Sequence, residues 1–65
     1  MIKMTDERKA LLDRMIKVYG SENHLVVSMF ANLCETLADN EINNTTLLIL
    51  TEAHEQYPCK KDLTN

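Results

Sequence analysis

The sequence predicts an all-α protein: one three-helix unit, with helices near residues 6–19, 22–38 and 43–57 and the second helix central. Three observations predict it. Apolar residues recur at three- and four-residue spacing in three successive stretches. Turn-forming residues separate them, at Gly20-Ser21 and at Asp39-Asn40-Glu41. One Gly and one Pro in 65 residues is too little punctuation for a fold of many short strands.

The first helix starts cleanly. Thr5 is a good N-cap, and Asp6 and Glu7 follow it where acids favour the helix dipole. Leu11, Leu12, Met15, Val18 and Tyr19 form its apolar stripe. Lys9, Asp13 and Lys17 are spaced four apart on the solvated side. Gly20 is the residue expected just past the end.

Ser21 is expected to cap the second helix directly after the glycine. At about 100° per residue, Val26, Phe30, Leu33 and Leu37 share one stripe. Val27 and Cys34 flank it on one side, Leu25 and Met29 on the other. The arc is wider than the roughly 100° that one neighbour requires, so the helix wants two. Helices one and three are expected to fill most of it. Function is then left to the polar back, with Glu22, Asn32 and Glu35.

In the third helix, Asn43 as N-cap would place Ile42 and Leu47 at the spacing of a hydrophobic staple. Leu47, Leu50, His54 and Tyr57 line one face, Leu48 points away, and Ile16 and Leu48 fall outside the core. Pro58 ends the helix near Tyr57. The β-branched run at 45–51 could form a strand, but a lone strand has no partner, so helix is the reading. Residues 1–4 and 59–65 read as short flexible ends of a single domain.

Length and composition exclude several classes. No run approaches a membrane span, and the charged start MIKMTDERK has no apolar signal region, so a soluble cytoplasmic protein with reduced thiols is expected. The net charge of −3 is unevenly spread. Residues 1–20 hold five basic and three acidic side chains, whereas residues 21–59 hold six acids and neither Lys nor Arg. Such a segment suits a basic partner.

The ligating types are His24, Cys34, His54 and Cys59. No pair has the close spacing of a structural zinc site. Antiparallel packing would bring Cys59 to the level of His24 and leave Cys34 about 15 Å away, which also argues against a disulfide. No cofactor and no bound metal is therefore expected. Catalysis lacks a basis too: His54-Glu55 has no second His, no scaffold places a base beside either Cys, and no Gly-rich loop exists for phosphate. The Gly20 junction resembles the layout of a helix-turn-helix. Its would-be reading helix offers Glu22, Asn23, His24, Ser28, Asn32 and Glu35, with no cation for phosphate. Asn23 and Asn32 could meet adenine, but the neighbouring acids would repel the backbone.

The strings MIKVYGSENHLVVSMFANLCE and LTEAHEQYP resemble short helical proteins carried on mobile elements of Gram-positive bacteria. That resemblance implies a non-enzymatic accessory protein. By analogy with anti-CRISPR proteins, it would bind and block a nucleic-acid-processing protein of the host.

The expectation is a small acidic, non-catalytic binding protein. It docks through Glu22, Asn32, Glu35, Leu48, Glu52 and Glu55 onto a protein with a basic surface, with Leu48 as the exposed anchor. Direct nucleic-acid binding through a helix-turn-helix is the first alternative, and a zinc-stapled module the second. A homodimer would help so small a chain to bury apolar surface.

Overall fold

A computed structural model describes residues 4–58. It contains three helices: α1 (Asp6–Tyr19), α2 (Leu25–Thr36) and α3 (Glu41–Gln56). The fold is all-α, and no strand occurs among the described residues. Residues 1–3 and 59–65, including Cys59 and most of both expected flexible ends, lie outside the described residues. Met4 lies within them and packs against the core.

The signals at the ends of α1 act as expected. The Thr5 hydroxyl accepts from the Arg8 backbone N–H at 3.2 Å, which satisfies one of the four unpaired donors of the first turn. Gly20 stands at φ +76°, where a side chain would be strained. Its N–H closes on the Ile16 carbonyl at 2.6 Å.

The second helix begins three residues later than expected. Ser21 does not cap it. The Ser21 hydroxyl accepts from the Asn23 backbone N–H at 3.0 Å and closes a local turn instead. His24 is the N-cap, and its Nδ1 accepts from the Val26 N–H at 3.1 Å. The imidazole is held by stacking on Tyr19, with ring centroids 4.5 Å apart. Glu22 therefore lies in the turn and not in a helix.

The third helix begins two residues earlier than expected. Asn40 is its N-cap, with Oδ1 accepting from the Asn43 N–H at 2.8 Å. Ile42 consequently falls inside the first turn and is 78% exposed, so no staple forms. The run at 45–51 is helical throughout. Thr46 and Thr51 turn their hydroxyls back onto the carbonyls of Ile42 and Leu47, both at 2.9 Å. That bond lets Thr51 sit fully buried beside Leu47.

Leu11, Met15, Val27, Phe30, Cys34 and Leu47 form the buried core, with all three helices contributing. The α2 helix packs against both α1 and α3. Its backbone approaches α1 more extensively than α3, and the most extensive approach of all is between α1 and α3. Ile16 and Leu48 are not outside the core: both are partly buried and packed against it. No helix among the described residues is long and apolar enough to cross a membrane.

The buried Arg8 ties these elements together. Its side chain is fully buried, with no ion-pair partner among the described residues. Nη1 donates to the carbonyls of Cys34 at 2.8 Å and Leu37 at 2.6 Å, and Nη2 to that of Ala38 at 2.8 Å. Nε donates to Asn44 Oδ1 at 2.9 Å, and Asn44 Nδ2 donates to Asp39 at 2.8 Å. The last turn of α2 carries no basic residue of its own. Arg8 supplies from α1 the cation that a helix C-terminus favours, together with donors for its unpaired carbonyls.

Candidate functional site

The six residues expected to form a docking face do not converge. Glu22 is exposed in the turn before α2, and Asn32 and Glu35 are exposed on α2. Glu52 and Glu55 are exposed on α3 and turn toward α1. There Glu55 makes a two-pronged ion pair with Arg14, at 2.6 and 2.9 Å. The arginine's hydrogen bond holds the Glu55 carboxyl below the ordinary carboxylate range. Leu48 cannot serve as an exposed anchor, because it is partly buried against the core.

The larger feature lies on the other side of α2. Because α2 and α3 have little close backbone approach, they leave a groove of about 340 Å³ between them. Val26, Met29, Phe30 and Leu33 form the α2 wall, Leu50 and His54 the α3 wall, and Met15 comes from α1. Of the lining residues Met29 is the most open, at 60% exposure; Leu25 on α2 and Ile49 on α3 are also exposed, at 50% and 59%.

The lining of the groove is apolar apart from one side chain. Its one polar lining residue, His54, meets the Tyr19 hydroxyl through Nδ1 at 2.6 Å. Among the described residues no second acid, base or nucleophile lines the groove beside it. Cys34 is buried in the core and is not part of the lining. Burial pushes its thiol pKa up, Glu35 adds to this, and the nearby Arg8 charge opposes it. Burial and the raised pKa both disfavour the reactive thiolate form. Among the described residues no three His, Cys, Asp or Glu side chains are grouped to hold a metal ion.

Sequence reasoning drew the wide apolar arc of α2 correctly but assigned too much of it to the interior. Val27, Phe30 and Cys34 are buried as expected. Val26 and Leu33 also pack against the core, as expected, while lining the groove, whereas Met29 and Leu25 stay largely exposed. The available signal was the width of the arc itself. No family model, curated protein or solved structure matches the chain.

Proposed function

We propose that this chain is a non-catalytic protein-binding module that receives apolar side chains of a partner helix between α2 and α3. The observation that carries the reading is the apolar groove, whose floor is the buried Met15 and Phe30 and whose accessible lining is the partly buried Val26, Leu33 and Leu50 with Met29, 60% exposed. Burying such a surface supplies roughly 25 cal/mol per Å², the usual driving force of association. The acids of α2 and α3 add long-range attraction to a basic protein. A nucleic-acid-processing protein is a fitting class of partner, since it carries a basic surface, and occupying that surface would inhibit it.

Affinity capture with paired variants tests the reading. Met29→Asn places a polar group at the groove and should abolish recovery of the specific partner. Glu35→Gln, away from the groove, should leave recovery largely intact. Loss of the partner with Glu35→Gln and full retention with Met29→Asn would overturn the proposal.

A further inference from the structure

We infer that His24 is a proton-sensitive cap: α2 holds its first turn only while the His24 imidazole is neutral with Nδ1 bare, and protonating that ring releases the turn. The inference stands whatever the groove binds. The Val26 backbone N–H donates to His24 Nδ1 at 3.1 Å. A neutral imidazole has one acceptor nitrogen, so this bond assigns the ring hydrogen to Nε2. A protonated ring carries hydrogen on both nitrogens and accepts nothing. Nδ1–H would then face the Val26 N–H, donor against donor. The new charge would also sit at the positive end of the α2 dipole, where a cation is disfavoured. A cap of Ser, Thr, Asp or Asn keeps its acceptor at neutral and mildly acid pH, whereas a histidine cap does not.

Packing decides which part yields. The His24 ring stacks on Tyr19, with centroids 4.5 Å apart and planes 26° from parallel. A cation over a tyrosine face is attracted to it, so the stack survives protonation and holds the ring in place. The backbone of the first turn gives way instead. The nearby capping type, Ser21, already accepts from the Asn23 N–H at 3.0 Å. Val26, whose N–H is released, is partly buried against the core and lines the groove. The loosened turn is therefore one end of the α2 wall.

The titratable groups around this ring do not rescue the cap. From α1 comes Tyr19 itself. From α3 comes His54, whose Nδ1 meets the Tyr19 hydroxyl at 2.6 Å. That contact survives protonation of His54, because Nδ1 accepts from the hydroxyl when neutral and donates to it when charged. The last turn of α3 also favours a cation there. A charged His54 adds a second cation beside Tyr19 and opposes charge on His24 further. Glu22 is two residues back in the turn, and no ion pair joins it to His24 among the described residues. Glu52 and Glu55 turn toward Arg14. The two histidines thus answer acid differently: His54 keeps its bond and His24 loses its own.

NMR of the full chain, labelled with nitrogen-15 and carbon-13, tests this at about pH 8 and about pH 5, which bracket the charge change of histidine. The ring nitrogens of His24 should show the Nε2–H tautomer at the higher pH. At the lower pH the carbon shifts of Leu25–Ser28 should lose helical character, with the frayed-to-helical ratio of that turn rising about fivefold, while those of Phe30–Thr36 hold. His24→Asn, which caps without titrating, should keep the turn helical at both pH values. His54→Gln should leave the wild-type change in place. An Nδ1–H tautomer at the higher pH, a first turn equally helical at both pH values, or the same fraying in His24→Asn would each overturn the inference. Fraying that His54→Gln abolishes would place the switch on α3 and overturn it as well.

Discussion

Arg8, in the first turn of α1, donates from Nη1 to the Leu37 carbonyl at 2.6 Å, just past the end of α2. The same guanidinium reaches Cys34 and Ala38, so one buried cation closes the C-terminus of a helix that is distant in sequence. It also reaches Asn44 on α3. The first turn of one helix thereby fixes where the second ends and how the third begins.

Arg8→Met should be the most damaging polar substitution. It strands the buried carbonyl of Cys34 and leaves that of Leu37 without its donor, at a cost of about 3 kcal/mol or more. Arg8→Lys should recover only part of this, because one ammonium cannot span carbonyls and the Asn44 side chain as a planar fork does. Urea unfolding followed by circular dichroism measures both.

Leu48→Ala should cost about 1–2 kcal/mol, because its side chain packs against the core. Met29→Ala, at an exposed position, should stay within about 0.5 kcal/mol. Equal, negligible costs in the same urea assay would return Leu48 to the surface.

Cys34 should resist thiol reagents in the native state. In a Cys59→Ser background, labelling should be roughly 10³-fold slower than in denaturant, since it waits on opening of the fold. Its raised pKa slows reaction further at neutral pH. A native rate near that of a free thiol would contradict the burial.

Glu55 predicts a pH dependence with a definite sign. Its carboxyl is held down in the folded state by the hydrogen bond from Arg14. The folded protein thus releases that proton more readily than the unfolded chain does, so the pair stabilises the fold above the ordinary carboxylate pKa and loses its effect as pH falls through the lower folded value. The stability difference between wild type and Glu55→Gln should be present near neutral pH and vanish in acid. It should be small, because the pair is solvent-exposed and screened.

The existence and order of three helices were legible in the residues because they depend on local chemistry. Thr5, Asp6 and Gly20 set the ends of α1 through bonds made within a few residues. The caps at His24 and Asn40 were less legible. Ser21 and Asn43 are equally good capping types, and the Tyr19 ring stacked on His24 is a contact that spacing does not reveal. The groove was half legible. The breadth of the α2 arc showed that it needed more than one neighbour, but not that one side would stay open.

By itself the sequence determined the helical class, the apolar faces, and the division between a mixed-charge first helix and two acidic ones, since each follows from residue type and a fixed period. Only the tertiary structure decided that Arg8 is buried, that Leu48 is packed, and that Met29 and Leu33 line an open groove. Those outcomes depend on how the three helices approach one another, α2 and α3 each lying closer to α1 than to each other. That approach is settled by side chains meeting across the core, among them a guanidinium held by the unpaired carbonyls of another helix.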